Sequence, residues 1–449
     1  MSTEGRRPPL RGELVCIACR LREGTCLALP FSFRTLWLVA LLGLLSLAVH
    51  AAGYVELTDF SDAALDRGAE TEDWQPAFQQ AIAAARARLK PLHIPAGEYK
   101  IRRPIEILPA SEPRNCLDHN DMRIVGDGKY HTIISQQVED ENAIDWTGLT
   151  YEEPCTFGRL EQLTVTGGDT ALNIKWHNYF TLDSCYIAGA KQYGIYAEGW
   201  SSRFVNSTIR WCYKAGIRGG THFNNNVIRD CYFSRNAIGA HLMNGCYGSR
   251  IEGCGFELCA KAAVFLRGCN SFTINNTYFE GNGYRNKHQD LFSVEGSADT
   301  VHLDYACRQV TIHDCIFRIN QDPEGALIAM AYVIGGHIYD NSFLNGENAI
   351  KLRSGCETNE NAGSFLGRVL VERNEMKDIN QPLVEEQAGL IQKAVERRCA
   401  FHVSARRECK GDPTGTQQPE CIGDEILDVE AKRWYKAVGS TPSDWVAIN

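Results

Sequence analysis

Apolar and polar residues alternate in a series of short segments along the middle of the chain: LDSCYI (182–187), VNSTI (205–209), IRDCYF (228–233), IEGCGF (251–256) and INNTYF (274–279). Their equivalent positions, Cys185, Ser207, Cys231, Cys254 and Thr277, fall 22 to 24 residues apart. LEQLTV (160–165) comes one step earlier; IHDCIF (312–317), IYDNSF (338–343) and VERNEM (371–376) follow after longer gaps. Alternation with period two predicts strands that each turn one face to a core. A fixed repeat near 23 residues predicts a solenoid whose turns bury their apolar faces against one another. A second strand follows each first one, with cores ALNIK, GIYAE, GIRGG, GAHLM and AVFLR, then LFSVE after an insertion and AIKLR near 349–353. A third short strand, as in SRIEG and SFTIN, enters the next unit. Three strands per turn make an all-β chain, a right-handed parallel β-helix.

Upstream, the period changes. TEDWQPAFQQAIAAARARLK (71–90) places Trp74, Phe78, Ile82 and Leu89 on one helical face, with Thr71 or Asp73 available as the cap. Such a helix closes the open end of a solenoid, whose bare strand edges would otherwise pair with other chains. PLHI, a Pro-Ala-Gly turn and EYKI follow as paired strands. This entry region resembles that of the pectate-lyase-like superfamily of β-helix proteins. The match lies in Asp73, Ala77 to Ala85, the run from Ile94 to Ile101 (IPAGEYKI), and MRIVGDG (122–128). It spans roughly residues 60–390 and implies the same right-handed β-helix. The tail RWYKAVGSTPSDWVAIN is similar to the closing segment of tailspike-like β-helices. For function the resemblance implies a range, because polysaccharide lyases, glycoside hydrolases, uronan epimerases and phage tailspikes share that fold. The chain lacks the NTD, DD and GHG set of the polygalacturonase branch. CLDHND (116–121) lacks the proline of the epimerase Asp-Pro-His-Asp motif, so no catalytic residue carries over.

The expected organisation is an N-terminal extension and signal peptide (1–51), a cap (52–110), the β-helix (111–387) and an irregular C-terminal segment (388–449). Arg34 precedes the apolar run of TLWLVALLGLLSLAVHAAG (35–53), which ends in small residues suited to signal cleavage. The run is short for a membrane span of ~20 residues. A secreted or periplasmic protein with no stable span after cleavage is expected.

Composition changes the picture in two ways. The net charge is −9, and it becomes more acidic without residues 1–51, which hold six arginines and three glutamates. That argues against nucleic acid as the partner. An acidic polysaccharide remains a candidate, because a local basic row can sit on an acidic protein. The 18 cysteines are many for 449 residues. Cys185, Cys231, Cys254 and Cys315 share one inward position. Cys212 and Cys259 share another with Asn236 and Asn282, and Cys246 and Cys269 a third. There they act as small hydrophobes. Cys399, Cys409 and Cys421, in the tail, are the candidates for disulfides.

Outward side chains on stacked strands are spaced by ~4.8 Å, so a polysaccharide can lie along them. One outward row on the second strand reads Asn173, Tyr196, Arg218, His241 and Phe265; two residues further stand Lys175, Glu198, Gly220, Met243 and Arg267. β-Elimination on a uronate needs a cation for the carboxylate, a base for the C5 proton and an acid for the leaving oxygen. Arg218, His241 and Tyr196 fit those roles. Asn173, Lys175, Arg267 and Trp200 are candidate substrate-binding residues, and Trp176, Tyr193 and Tyr213 could stack on sugar rings. A second row, Arg210, Ser234, Glu257 and Glu280, stacks two carboxylates ~5 Å apart, the separation of a retaining glycosidase pair. The insertion 284–305 offers His288, Asp290, Glu295 and Asp304. Asp118, His119 and Asp121 form an oxygen-rich candidate for Ca²⁺; no other cofactor is expected. The expected activity is polysaccharide cleavage, with elimination ahead of hydrolysis and non-catalytic polysaccharide binding as the rival.

Overall fold

The computed structural model describes residues 53–109, 122–243, 245–284, 298–356, 359–363, 365–401, 407–409, 411–417, 425–428, 430–437 and 441–448. The segment expected to be a signal peptide, the Asp118, His119 and Asp121 trio, His288, Asp290, Glu295, LFSVE and Cys421 lie outside them. No helix among the described residues is long and apolar enough to cross a membrane.

The repeats form a right-handed parallel β-helix. Among the described residues, ladder I is a sheet of thirteen strands running from Val55–Glu56 to Ala400–Phe401. Its inward row includes Leu160, Leu182, Phe204, Ile228, Ile251 and Ile274, one per turn and at most 1% exposed. Ladder II holds strands such as Tyr232–Ser234 and Gly255–Glu257. Ladder III holds strands such as Tyr193–Ala197 and Ala215–Gly219, which pair in register along the chain. Inside ladder II the phenylalanines stack face to face: Phe233 on Phe256 at 4.6 Å and 4°, Phe256 on Phe279 at 5.4 Å and 14°, Phe279 on Phe317 at 4.6 Å and 8°.

The segments expected as single first strands are each two short strands meeting at a corner. In LDSCYI, Thr181–Asp183 belongs to ladder I and Tyr186–Ala188 to ladder II. Between them Ser184 adopts the left-handed conformation (φ 55°). Asn206, Asp230, Gly253, Asn276 and Asp314 do the same one turn apart. Asn, Asp and Gly tolerate that region best, which explains the recurrence of these types. The next residue points inward, and there Cys185, Ser207, Cys231, Cys254, Thr277 and Cys315 are buried. At the following corner, Asn236 accepts the Cys212 N–H at 3.0 Å and donates to the Ile209 carbonyl at 3.1 Å. Asn282 treats Cys259 and Phe256 in the same way, both at 3.0 Å. A carboxamide thus satisfies corner backbone groups that would otherwise be buried without partners. Cysteine fills the alternate turns without adding strong polar demand. Cys185, Cys231 and Cys254 are free buried thiols, and burial pushes Cys185 up to about 12. Cys399, expected in a disulfide, is also a free buried thiol, packed below the Val369 N–H.

The cap helix α1 (Gln75–Arg88) buries Ala77, Phe78, Ala81, Ile82 and Ala85. Asp73 holds its start, accepting the Gln75 N–H at 3.0 Å and the Arg102 N–H at 3.2 Å. Leu89 does not join the buried face. It ends the helix in the left-handed conformation and is 94% exposed. The C-terminal segment is more regular than expected. It contains α2 (Leu390–Glu396), a strand that extends ladder I, and a four-stranded sheet built from Arg407–Cys409, Glu425–Asp428, Arg433–Ala437 and Trp445–Ile448. After the insertion, the strand that pairs with Ala262–Arg267 is Val301–Asp304, with Val301 and Leu303 inward.

On the first turns His93 sits between two carboxylates, 2.6 Å from Glu56 and 2.9 Å from Asp127. Burial pulls its pKa down, but the hydrogen bonds and charges of Glu56 and Asp127 outweigh it, so the folded value is raised above 6.5. A raised value means the imidazolium stabilises the fold fully below 6.5, and that contribution fades as pH rises through the folded pKa. The difference in melting temperature between the protein and His93→Gln is therefore expected to shrink from pH 6 to pH 9. A constant difference would show that the imidazolium charge contributes nothing.

Candidate functional site

Among the described residues the outward row of ladder III is continuous over eleven turns: Glu106, Asp145, Asn173, Tyr196, Arg218, His241, Phe265, His302, Ala329, Lys351 and Val384. Tyr196, Arg218 and His241 occupy successive turns in one register, as the sequence predicts. Two residues along each strand runs a parallel row in which Met243, Arg267 and Asp304 are directly paired.

These groups perturb one another. His241 is held down to about 3, first by burial and then by the positive charges of Arg218, Lys261 and Arg267. It is a neutral imidazole at pH 7, with a lone pair free to take a proton. Arg218 is lowered by burial, and its Nη1 is buried without a hydrogen-bond partner, as is the Arg267 Nε. Buried, unsatisfied guanidinium groups are costly unless an anion completes them. Burial raises the Tyr196 phenol, as does its hydrogen bond of 2.7 Å to Glu198 Oε1, with Arg218 opposing. Tyr196 therefore keeps its proton at neutral pH.

Sequence reasoning missed the role of Glu198, although residues i and i+2 of a strand share a face. Its carboxylate lies over Gly220, where an added Cβ would stand 2.8 Å from Glu198 Cδ and closer still to Oε1. Gly220→Ala is expected to push Glu198 aside and break its bond to Tyr196 while the fold persists. The Tyr196 phenol should then titrate at lower pH, since Glu198 raises it. Phenolate absorbance against pH measures this. An unmoved titration would show that the glycine does not seat Glu198.

The predicted binding residues divide. Asn173 is on the row but donates to Asp145 Oδ1 at 2.8 Å. Lys175 lies over the Trp176 ring at 4.3 Å, and Arg267 over Tyr305 at 5.3 Å. Trp200 stands beyond these rows at the next corner, packed on Tyr151 at 5.6 Å, which in turn meets His222 at 4.4 Å. The second carboxylate row has the expected register on ladder II, with Ser234, Glu257, Glu280 and Arg318 on successive turns. Each carboxylate there is already engaged. Tyr232 donates to Glu257 at 2.6 Å, Tyr278 to Glu280 at 2.7 Å, and Arg318 pairs with Glu280 at 3.2 Å.

The extension of the central row to His302 was not legible. His302 Nδ1 lies 2.9 Å from Asp299, which Arg353 holds at 2.6 Å, and Arg353 reaches Glu386 at 3.0 Å. Burial pushes the Asp299 carboxyl up, but His302 and Arg353 prevail and keep it below its ordinary value. This network is closed off, with the His302 side chain 3% exposed. It anchors the row against the later turns. A cavity of about 360 Å³ at the corner between ladders II and III is bordered by Gly283, Gln321, Asp322, Pro323 and Glu324. Asp322 there is spent on the Ala298 N–H at 2.7 Å and the Glu324 N–H at 3.1 Å. Among the described residues no three His, Cys, Asp or Glu side chains are placed to hold a metal ion.

Residues 170–332 match the family model described as a right handed beta helix region. No curated protein matches the chain by sequence. Among solved structures, the mannuronan C-5 epimerase AlgE4 A-module of Azotobacter vinelandii is similar at 18% identity and a TM-score of 0.52, covering 74% of this chain and 97% of that one. PfbA, a surface adhesin of Streptococcus pneumoniae, is similar at 14% identity and a TM-score of 0.50, covering 74% and 94%. At these identities the likeness is one of fold, and the same fold serves an enzyme and an adhesin.

Proposed function

Taking the chain as a right-handed parallel β-helix protein, we propose that it is a secreted enzyme that cleaves a uronate-containing polysaccharide by β-elimination on the outward face of ladder III. The observation that carries this reading is the unpaired Arg218 guanidinium standing between a neutral histidine and a protonated tyrosine on adjacent turns. Arg218 takes the uronate carboxylate, which makes the C5 proton more acidic. The neutral His241 imidazole accepts that proton, and the C5–H electron pair forms the C4–C5 double bond. The C4–O bond breaks, and the leaving oxygen takes the proton of the Tyr196 hydroxyl. Proton exchange with solvent restores both groups. Binding assists the base: a carboxylate on Arg218 offsets the positive charge that depresses His241 and so raises its basicity. The residues Lys175 and Arg267 extend the cationic face. An epimerase of the same fold acts on a polymer whose name, mannuronan, denotes a uronate chain, and it supports the substrate class.

The burial of His241 favours a second reading, a polysaccharide-binding surface without catalysis, for which the adhesin supplies the precedent of fold. Incubation of the purified protein with a panel of polysaccharides separates them. Elimination produces an ultraviolet-absorbing double bond for each new reducing end. Reducing ends without that absorbance replace elimination with hydrolysis, and retention on the polymer with neither signal leaves the binding reading.

A further inference from the structure

We propose that the anionic polymer crosses ladder III sideways instead of running its length, and that a second, cationic anchor on the corner between ladders II and III, formed by Arg210, Trp211, Arg235 and Lys214, holds it there. The inference rests on the reading above, to which it adds a second binding site and the direction of the chain.

The outward row of ladder III suits a polyanion over a short stretch. On the N-terminal side of Asn173 the row continues with Asp145 and Glu106, two carboxylates that repel an anionic chain. On the C-terminal side of His241 it continues with Phe265, His302 and Ala329, which are at most 4% exposed and so lie beyond a polymer's reach. Between these limits stand the turns of Asn173, Tyr196, Arg218 and His241, spanning ~14 Å from first to last. A longer chain has to leave the row sideways.

The corner that leads into ladder III offers a cationic exit. Arg210 ends the ladder II strand Thr208–Arg210, and Lys214 immediately precedes the ladder III strand Ala215–Gly219, which carries Arg218. At ~3.3 Å per residue Lys214 lies no more than ~13 Å from Arg218. Trp211 and Arg235 occupy the same corner position on successive turns, both in the left-handed conformation. Two guanidinium groups lie over the Trp211 ring, that of Arg235 at 4.9 Å and that of Arg210 at 5.9 Å. The indole thereby fixes two cations without neutralising either.

No carboxylate among the described residues compensates these charges. Arg210 Nε makes no hydrogen bond within the protein. Lys214 Nζ rests at 2.8 Å on the Gln192 amide oxygen, a neutral acceptor. Along the Arg210 row the next carboxylate is Glu257, two turns on, and it accepts from Tyr232 at 2.6 Å. Arg210, Lys214 and Arg218 thus form an uncompensated cationic track across one coil of a chain whose net charge is −9. An anionic ligand long enough to span corner and row meets all of them, whereas a short one meets Arg218 alone.

The test is calorimetric binding at low ionic strength to oligomannuronate and oligogalacturonate, each as a tetrasaccharide and as a dodecasaccharide. The full chain carries His241→Ala, so that the ligand is not consumed, and the unmodified protein is assayed separately for the double bond. The better-bound sugar is expected to bind about ten times or more tightly as the dodecasaccharide, because two anchors on one chain act at a high effective concentration. Adding Arg235→Gln or Lys214→Gln, both at exposed positions, should each remove several-fold of that gain and leave the affinity of the tetrasaccharide as it was. Lys175→Gln is the rival arm, since Lys175 follows the far end of its strand, over Trp176. Equal affinity for the two lengths, no binding of either dodecasaccharide, or a gain that survives both substitutions overturns the proposal; its loss in Lys175→Gln instead would move the exit to the opposite corner. A gain that needs Arg235 and Lys214, with no double-bond product from the unmodified protein, upholds this inference and sinks the elimination reading. Double-bond product with affinity independent of length does the reverse.

Discussion

Phe256→Ala is expected to lower the free energy of unfolding by about 3–5 kcal/mol, the range for removing a buried aromatic ring from a packed core. Phe256 is fully buried and stacked on both sides, on Phe233 at 4.6 Å and on Phe279 at 5.4 Å. In a solenoid each turn rests on its neighbours, so a hole in one turn weakens two interfaces. Denaturant unfolding of Phe256→Ala, Phe233→Ala and the double variant measures both the cost and the coupling. A coupling of about 0.5–1.5 kcal/mol is expected for a stacked pair beyond its area burial. Tyr232, one residue from the stack, faces outward, and Tyr232→Phe removes its hydroxyl contacts to Glu257 and Ser234. That change should stay within about 0.5 kcal/mol. A loss below about 1 kcal/mol in Phe256→Ala would mean that the phenylalanine ladder fills space without holding the turns together.

The phenylalanine ladder was legible because it follows from counting. A repeat near 23 residues with period-two alternation fixes which residues face in, and hence which face out. Tyr196, Arg218 and His241 fell in one register for that reason. The left-handed corners were written in the chain too. In LDSCYI the inward residues Leu182, Cys185 and Ile187 are spaced three and then two, and the extra residue is the corner. Where the count is interrupted, legibility ends. After the insertion, LFSVE and VHLD alternate equally well, and only pairing with Ala262–Arg267 selects VHLD and brings His302 onto the row. Leu89 was misplaced because the helix period was carried one residue past Arg88, onto the αL residue that ends the helix. The burial of outward side chains was illegible. Alternation places His241 outward, but it does not reveal an imidazole depressed to about 3 or an arginine with an unsatisfied nitrogen. Those properties depend on neighbours from turns about 23 and 46 residues away.

The electrostatics of those neighbours make the catalytic reading testable in sign as well as size. His241→Ala and Arg218→Ala should each lower kcat/KM for the double-bond-forming reaction by ~10² or more, the scale of a lost base or charge-stabilising group. That corresponds to about 2.7 kcal/mol of transition-state stabilisation. Glu257→Gln and Glu280→Gln should leave the rate unchanged, because those carboxylates are bonded to Tyr232, Tyr278 and Arg318 on a different ladder. The pH profile adds a constraint that a merely structural role would not meet. On that reading the base His241 must be neutral, and without substrate its burial and its cationic neighbours hold its pKa down to about 3. The acid limb of kcat/KM should therefore lie well below the ordinary histidine value of 6.5. Arg218 is one of the charges that hold His241 down, so Arg218→Gln should move that limb to higher pH while lowering the plateau. An acid limb near 6.5 in the unmodified protein would exclude His241 as the base. Inactive Glu variants beside active His241 and Arg218 variants would transfer the chemistry to ladder II, where paired carboxylates on adjacent turns serve hydrolysis.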